Sequence, residues 1–438
     1  MADEPVEELC AALLRFDTTN RGNNDSAGER EAAEFVAEQL SGSGIESTLL
    51  ERSPRRTNVV ARLAGADPSL PPLLVHAHLD VVPADAAEWT VPPFSGEIRD
   101  GFVWGRGALD MKDMCSMLLA VTRRWSVEGR RPRRDVVLAF VADEEDRGEW
   151  GAHWLAKEHR ALFEGCAAAI GESGGYLVYA ESATGDPVRF YPVSTAERGT
   201  AHLLLSAAGR AGHGSRRNPD NAVSTLVGAV HRLASHTWPV RLTPAVRTFL
   251  EQAGAALKVE VDLTTDAGVD ATLRRLGPAA VIAENTVRNS TTPTVLSAGY
   301  KVNVIPGDAH AQIDTRVLPG TETELLAEVD RLIGPGVHRE VVAHQDAVAA
   351  SVDSVWFGAM ADALRAEDPA AVVVPYCMGG GTDAKAFAPL GIDCFGFAPL
   401  WFPAGFDHRV LAHGVDERVP VEGLRFGTNV LDRFLSTT

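Results

Sequence analysis

The sequence is poor in cysteine and has neither a long apolar run nor a targeting segment at its start. Five cysteines are present, an odd number, and no two of them form a CxxC pair, which argues against a disulfide framework and a zinc ribbon. No stretch approaches the roughly 18 apolar residues of a membrane span. Residues 1–8 are acidic and lack the basic and apolar regions of a signal peptide. These absences predict a cytoplasmic protein that is neither exported nor anchored.

Basic residues are outnumbered by acidic ones. Lys and Arg total 41 and Asp and Glu total 59, so the formal net charge is −18. Nucleic acids and anionic membranes both require a basic face, so neither is expected as a partner, and small molecules are the expected ligands. The chain has 438 residues, of which 45% are hydrophobic and 23% charged. That length and composition are typical of a folded protein of two or three domains.

The order of apolar patterns predicts an α/β domain that is interrupted once. After two N-terminal helices, short runs rich in Val, Ile and Leu alternate with helical segments as far as Gly171, which is typical of a largely parallel sheet flanked by helices. From Arg198 a smaller α+β pattern begins, with strands expected at Thr200–Ala208, Val295–Val304 and Ala309–Val317. After about Ala350 the first pattern returns. The predicted division is residues 1–196 and 346–438 for the larger domain and 197–345 for the insertion.

The stretch from about 236 to 289 gives mixed helical signals. Pro244 and the Gly277-Pro278 pair read as breakers within it, so no detailed assignment follows from the sequence.

Acidic residues and imidazoles gather where the predicted strands end. His78 and Asp80 follow the apolar run Leu73-Leu74-Val75 and share one face of a strand, so the carboxylate is placed to bind or brace an imidazole. A solvated strand end is an equally good reading of this pair taken alone. Asp110 comes just before a predicted helix, where the ordinary reading is a helix cap.

A second strand runs directly into three acids, Asp143, Glu144 and Glu145. Adjacent carboxylates repel one another unless a cation or solvent relieves them, so the pattern favours a metal site over the alternative of a wet acidic loop. Glu172 follows another apolar run, and His413 lies in a late loop with His408 as a competing imidazole. Imidazoles and carboxylates without cysteine indicate a hard or borderline divalent ion, for which zinc is the usual hydrolytic choice.

Five motifs in order carry a family resemblance. They are His78-Leu79-Asp80-Val81-Val82-Pro83, Gly105-Arg106-Gly107, Asp110-Met111-Lys112, Asp143-Glu144-Glu145 and His413-Gly414. Together they resemble the dinuclear-zinc amidohydrolase and exopeptidase family, which includes aminoacylases, succinyl-diaminopimelate desuccinylase, acetylornithine deacetylase, dipeptidases and glutamate carboxypeptidases. The resemblance implies a zinc-exopeptidase-like, mostly parallel sheet with an inserted lid domain that often also forms a homodimer.

The resemblance implies two zinc ions per chain, for which Co²⁺ or Mn²⁺ are possible substitutes. His78, Asp110 and Glu172 would hold one ion. Asp110, Glu145 and His413 would hold the other, so that Asp110 bridges the two.

Two further acids receive roles from the same resemblance. Asp80 would orient the ligand His78, as metal-bound imidazoles generally require. Glu144, next to a ligand but not itself one, would be the general base that takes a proton from the metal-bridging water and returns it to the leaving amine.

The inserted unit carries the residues that the resemblance assigns to substrate. His213 matches a lid histidine that stabilises the oxyanion, often in the other subunit, although a lone His between glycines is otherwise a loop residue. Asn303 and Arg316 match residues that bind the substrate's carboxylate, and a surface salt bridge is the alternative for Arg316. Gly381 and Thr382 lie in a glycine loop that would approach the substrate closely, with Thr382 donating a hydrogen bond.

These observations predict a metal-dependent hydrolase that cleaves an amide bond next to a free carboxylate, in an N-acyl amino acid or a short peptide. A dipeptidase or carboxypeptidase of the same family is the nearest alternative. A non-catalytic binding protein on this scaffold would be expected to lose Glu144 or a ligand, and all are present. A nucleotide-dependent enzyme is opposed by the missing GxxxxGK[ST] pattern.

Overall fold

The computed structural model describes residues 5–438. The first part of the chain alternates helices and strands. Its elements are α1 (Val6–Leu14), α2 (Arg30–Gly42), β1 (Ser47–Ser53), β2 (Arg56–Leu63), β3 (Leu73–His78), β4 (Glu97–Arg99), β5 (Phe102–Trp104), α3 (Lys112–Glu128), β6 (Val136–Val141), α4 (Ala152–Glu158), β7 (Ala168–Gly171), β8 (Val178–Glu181) and β9 (Pro187–Glu197).

The middle of the chain builds a second set of elements. These are β10 (Gly199–Ala208), β11 (Gly212–His213), α5 (Ala222–Ala234), α6 (Pro244–Leu257), α7 (Asp266–Leu276), β12 (Ser290–Ala298), β13 (Val304–Ile305), β14 (Asp308–Val317), α8 (Glu322–Ile333) and β15 (Val337–Gln345). The last part contains β16 (Val348–Ala349), α9 (Val355–Glu367), β17 (Ala371–Met378), α10 (Ala384–Phe387), β18 (Asp393–Gly396), α11 (His408–Leu411), β19 (Arg418–Pro420) and α12 (Val421–Thr437). No helix within residues 5–438 is both long and apolar enough to cross a bilayer.

The large sheet has ten strands, and its centre is parallel. The order is β1-β2-β6-β3-β7-β18-β9-β16, with β8 and β17 also pairing with β9. Strands β6, β3, β7 and β18 are mutually parallel, and most of the flanking pairs are antiparallel. All six residues of β6 are buried, because helices cover both faces of the sheet. The predicted α/β fold class, with a mostly parallel central sheet, is confirmed.

A separate four-stranded antiparallel sheet has the order β12-β14-β10-β15. Helices α5 and α8 cover one face of it, where Leu205 and Ile313 of the sheet pack with Leu226 and Val329 of the helices. One predicted strand is wrong in its second half: β12 ends at Ala298, where the expected strand continued to Val304. Gly299 adopts φ 69°, a left-handed conformation that turns the chain out of the sheet.

The stretch that gave no assignment contains helices α6 and α7. Pro244 begins α6 rather than breaking it, because proline is favourable in the first helical turn and the Thr243 hydroxyl accepts the Val246 N–H. Phe249 and Leu250 of α6 pack with Phe190 of β9 and so belong to the core beside the large sheet.

Candidate metal and catalytic site

Five side chains with metal-binding groups meet at one edge of the large sheet. His78 ends β3, Glu145 follows β6 and Glu172 follows β7, so three neighbouring parallel strands deliver them at their carboxyl ends. Asp110 precedes α3, and His413 lies in the loop between α11 and β19.

These residues form two groups that share Asp110. In the first, His78 Nε2 lies 3.0 Å from Asp110 Oδ1 and 3.8 Å from Glu172 Oε2. In the second, His413 Nε2 lies 3.0 Å from Asp110 Oδ2 and 3.1 Å from Glu145 Oε1. The ligating atoms within each group all lie within 4.8 Å of one another. Each oxygen of Asp110 therefore faces a different group, which is the arrangement required of a carboxylate that bridges two ions.

The chemistry of this donor set fits a pair of divalent cations. It offers two imidazoles and three carboxylates, and Glu144 adds a further buried acid. Burial and the neighbouring Asp110 carboxylate raise the pKa of Glu172 to about 7. Hydrogen bonds to Asp110 and Glu145 raise the pKa of His413 to about 10. So many enclosed acids are costly without compensating positive charge, and bound cations would supply it.

Asp80 and Glu144 lie directly beside the ligands. His78 Nδ1 hydrogen-bonds to the backbone carbonyl of Asp80 at 2.9 Å, while the Asp80 carboxylate is 3.7 Å away. That carboxylate instead accepts the backbone N–H groups of Glu144 and Glu145 at 3.1 and 3.2 Å. The structure therefore differs from the prediction: the carbonyl of Asp80 orients His78, and its carboxylate holds the two acids. Burial and the nearby Glu172 carboxylate raise the pKa of Glu144.

A buried polar chain behind the site escaped sequence reasoning. Asn20 donates to the carboxylates of Asp80 and Asp143 at 2.9 and 3.2 Å. Arg56, which is 2% exposed, donates to Asp143 at 2.7 Å and to Glu29 at 3.1 Å. These hydrogen bonds end at Asp143 and, through Asp80, at the backbone of Glu144 and Glu145. They therefore hold the backbone of the acids that follow β6.

A second buried ion pair connects the two loops that supply Asp110 and His413. Arg106 donates to Glu417 Oε2 at 2.5 Å and to the carbonyl of His413 at 3.1 Å. Glu417 Oε1 accepts the Leu109 N–H at 2.7 Å. Arg106 lies in the quoted motif Gly105-Arg106-Gly107, whereas Glu417 comes three residues after the motif His413-Gly414. A charged residue between two glycines, as Arg106 is, was the available signal.

The glycine loop is held by contacts within the protein. The Thr382 hydroxyl donates to Glu197 Oε1 at 2.6 Å and its N–H donates to Glu197 Oε2, and its hydrogen bond to substrate stays a prediction. A Cβ on Gly381 would lie 2.5 Å from the Lys385 ammonium, so the Lys385 side chain occupies the space beside this glycine. Arg316 forms a two-pronged ion pair with Asp314, at 2.7 and 3.1 Å, as the alternative reading proposed.

The structure brings His213 and Asn303 together on one ribbon. β11 pairs with β13, and the Gly214 N–H donates to the Asn303 carbonyl. The exposed His213 ring accepts the Ser215 N–H. Its ribbon lies near the end of β14 that is remote from Arg316. Asp308 and Arg316 are eight residue steps apart along β14, a span of roughly 26 Å. A single chain thus places His213 and Asn303 at one end of the four-stranded sheet and Arg316 at the other.

His408, the competing imidazole, is not in either ligand group. Its ring stacks on Phe402 with a centroid distance of 4.6 Å and lies equally close to Tyr176. Burial lowers the pKa of His408 to about 4.

The comparison with known proteins agrees with this geometry. The model for Peptidase family M20/M25/M40 matches residues 74–437. Human N-fatty-acyl-amino acid synthase/hydrolase PM20D1 is 28% identical over 369 residues, covering 82% of this chain and 72% of the human protein. Aminoacylase-1 of Sus scrofa is 28% identical over 416 residues, covering 92% of this chain and 89% of the pig protein. The M20 family metallo-carboxypeptidase Sso-CP2 from Sulfolobus solfataricus has a TM-score of 0.70 and 19% identity, over 99% of both chains.

The chain belongs to the peptidase family M20/M25/M40. It is a metal-dependent hydrolase of that family, and the resemblance inferred from the five motifs is confirmed.

Proposed function

We propose that this enzyme hydrolyses the amide bond of an N-acyl amino acid or a short peptide that carries a free carboxylate. The observation that carries the proposal is the pair of ligand groups sharing Asp110, with the buried acid Glu144 next to the ligand Glu145. The relatives include proteins named as an N-fatty-acyl-amino acid hydrolase and an aminoacylase, which supports this substrate class.

Zinc is the proposed metal, since imidazole and carboxylate ligands with open positions are typical of hydrolytic zinc sites. His78, Asp110 and Glu172 would hold one ion, and Asp110, Glu145 and His413 the other. When bound, such ions polarise a carbonyl and lower the pKa of water. Glu144, buried next to the ligand Glu145, accepts the proton of the attacking water on its carboxylate and passes it to the departing amine nitrogen.

A corner rich in cations is the proposed site for the substrate's carboxylate. Arg198 and Lys385 are buried there, with Arg316 nearby. Arg198 donates to the Gly379 carbonyl at 2.9 Å, which holds the glycine loop beside the guanidinium. Burial, and to a lesser extent the charge of Arg316, lower the pKa of Lys385. A carboxylate bound here would meet the guanidinium of Arg198 and the ammonium of Lys385, while Arg316 would share its guanidinium with Asp314.

His213 and Asn303 are proposed to complete the site of a second copy of the chain. Their ribbon lies at the end of the lid sheet remote from Arg316, which supports action between subunits rather than within one. Apolar side chains also stand exposed along β12 and the following loop. They are Val295, Leu296, Tyr300 and Val302. We therefore propose a homodimer formed through residues 197–345.

The proposed domain division keeps 1–196 and 346–438 as the catalytic part. Its support is the change of sheet between β9 and β10 and again between β15 and β16. A cytoplasmic location is proposed because all five cysteines are free and buried, as expected in a reducing compartment.

The test is a matched substrate panel with zinc- or cobalt-loaded enzyme. It contains N-acetyl amino acids, dipeptides, and the amidated form of each. Turnover that requires both metal and a free carboxylate is expected, and the preferred group decides between an acylase and a dipeptidase or carboxypeptidase.

The matched control variant is Glu144→Gln. It should keep its metal, measured by elemental analysis, while kcat falls at least about 100-fold. An active Glu144→Gln enzyme would remove the general base from the proposal, and equal cleavage of amidated substrates would remove the carboxylate.

A further inference from the structure

Two short connections lead directly from the large sheet to the lid sheet. The connection from β9 to β10 is Arg198 alone, and the connection from β15 to β16 is residues 346 and 347. On the catalytic side β9 pairs with β16, and on the lid side β10 pairs with β15. The two connections therefore run side by side, and together they form the direct joint between the sheets.

The joint is tightly packed. A Cβ on Gly199 would lie 2.7 Å from the Gln345 carbonyl oxygen and 2.8 Å from the Ala347 nitrogen, so the two connections leave no room between them. Closely packed segments transmit a displacement to each other. A change in the orientation of the lid sheet therefore shifts both connections together.

One ammonium group contacts both connections. Lys385 lies on α10 of the catalytic part, and its Nζ donates to the Arg198 carbonyl at 2.7 Å and, at the longer distance of 3.5 Å, to the Gln345 side-chain oxygen. The residue is 6% exposed. An ammonium has three N–H donors, so one of them remains for a ligand.

The cations of the proposed carboxylate corner come from both sides of the joint. Lys385 belongs to the catalytic part, Arg198 to the joint itself and Arg316 to β14 of the lid sheet. A Cβ on Gly379 would lie 3.4 Å from the Arg198 guanidinium, and one on Gly381 would lie 2.5 Å from the Lys385 ammonium, so both charges lie against the same glycine loop. A carboxylate held by these groups has contacts that change when the lid sheet turns. It therefore binds different lid orientations with different affinity.

We propose that Lys385 is a positioning residue that couples the substrate's free carboxylate to the orientation of the lid sheet. This inference rests on the proposed function, which places that carboxylate against Arg198 and Lys385. A bound carboxylate draws the two cations toward one anion, and the Lys385 ammonium transmits this shift to the Arg198 carbonyl and to Gln345. The lid sheet, beside which His213 and Asn303 lie, is thereby held in the orientation that catalysis requires.

The coupling predicts that the free carboxylate acts on turnover as well as on affinity. A site that only binds the carboxylate would lower KM and leave kcat unchanged, whereas a carboxylate that also sets the lid orientation raises kcat. For the wild type, kcat for N-acetylphenylalanine should therefore exceed kcat for N-acetylphenylalaninamide by at least about tenfold, in addition to any difference in KM.

The kinetic experiment compares Lys385→Met and Lys385→Arg in the full-length, metal-loaded enzyme. Lys385→Met should bring the two kcat values to within about threefold of each other, while Arg198 and Arg316 preserve a difference in KM. Lys385→Arg keeps a cation with several donors and should restore part of the kcat ratio. Lys157→Met, at an exposed lysine of α4, is the matched control and should keep the wild-type ratio. A merely structural role would lower both kcat values and leave their ratio unchanged.

A distance measurement reports the lid orientation directly. All five native cysteines are buried, so Val127→Cys on α3 and Val227→Cys on α5, both at exposed positions, can carry a pair of fluorophores. Labelled chains are diluted into an excess of unlabelled ones, so that energy transfer within one chain is measured. In a Glu144→Gln background, N-acetylphenylalanine should change the energy transfer and N-acetylphenylalaninamide should not. Lys385→Met should abolish the change.

The outcomes separate this inference from the proposed function. If the free carboxylate lowers KM without raising kcat and leaves the energy transfer unchanged, the coupling is overturned and the proposed function stands. An equal change in energy transfer with acid and amide would also overturn the coupling. This comparison needs no substitution at Lys385, so it is decisive even where Lys385→Met does not fold.

Two further results reject one claim each. A folded Lys385→Met enzyme that keeps both the kcat ratio and the energy-transfer response would remove Lys385 from the coupling. Absence of turnover with every substrate of the panel would reject the proposed function, and a missing energy-transfer response to the free carboxylate would then reject the coupling as well.

Discussion

At the scale of single residues, the glycine loop shows how a side chain suited to one role is used in another. Thr382 has a hydroxyl near the site, but Glu197 accepts both its O–H and its N–H. Glu197 is 4% exposed, so it depends on these donors for the solvation it has lost. Thr382 thus holds the loop in place, and Lys385 fills the space that Gly381 leaves open.

Thr382→Val should therefore reduce stability more than it changes substrate binding. It removes a charge-assisted hydrogen bond to a buried carboxylate, which costs about 1.5–3 kcal/mol. Urea unfolding should show this loss, while Thr382→Ser should retain most of the stability. A Thr382→Val enzyme with normal stability and a strongly raised KM would instead show that the hydroxyl binds the substrate.

At the scale of elements, the ligands depend on a buried ion pair that joins two loops. Arg106 and Glu417 are 3% and 0% exposed, and between them they bind the backbone of Leu109 and of His413. These buried contacts therefore join the loop before α3 to the loop before β19. His413 has φ 60°, a left-handed conformation that this contact helps to hold.

Glu417→Gln should weaken both the fold and the second ligand group. Loss of one partner leaves Arg106 buried without compensation, at a cost of about 3–5 kcal/mol. Elemental analysis after dialysis should show loss of the metal held by Glu145 and His413 before loss of the other. Glu422→Gln, on the first turn of α12, is the control and should keep both metals. Full metal content in Glu417→Gln would contradict the bracing role.

One carboxylate of α12 binds polar groups of α3, in addition to the apolar core that the two helices share. Asp432 accepts from Trp125 Nε1 at 2.6 Å and from Arg124 at 3.0 Å, and it also pairs with Arg130. Burial by itself would raise the pKa of Asp432, but these hydrogen bonds outweigh it and the pKa is lowered. The contact therefore depends on ionised Asp432.

Asp432→Asn should destabilise the protein by about 2 kcal/mol at pH 7. Because the folded-state pKa lies below the unfolded value, the stabilisation is complete above about pH 4 and is lost as the pH falls through the folded-state pKa. Unfolding of wild type and variant should therefore converge at low pH. Asp362→Asn, at an exposed position on α9, should cost under about 1 kcal/mol. A difference for Asp432→Asn that persists at the lowest pH would contradict the ionic contact.

At the scale of the whole molecule, the sequence was informative where the signal was local. Three of the ligands, His78, Glu145 and Glu172, lie in or directly after apolar strands, so the strand-end pattern pointed to them. Arg56 and Glu29 lie in segments without such a pattern and reach the site only because β2 pairs beside β6. Residues that meet through long-range packing show no pattern in local spacing. The buried hydrogen-bond network of Asn20, Arg56 and Glu29 was missed for that reason.

The charge distribution also has meaning only at this scale. In a chain of net charge −18, the loop that carries His213 is basic, with Arg210, Arg216 and Arg217 and no acid between Arg210 and Asn218. Within residues 5–438, none of these three arginines forms an ion pair. The metal site is by contrast rich in carboxylates. The ribbon is thus electrostatically suited to approach the catalytic face of another copy.

Mixed dimers test whether His213 acts between subunits. Glu144→Gln lacks its general base and His213→Ala lacks the lid histidine, so each variant alone should be nearly inactive. If His213 serves the partner's site, a mixed dimer has one site with both residues intact and one with neither. Equal mixing after subunit exchange should then restore about a quarter of wild-type activity. If His213 serves its own chain, every site lacks one of the two residues and mixing restores nothing. Monomeric enzyme in size-exclusion chromatography with full activity would reject the dimer itself.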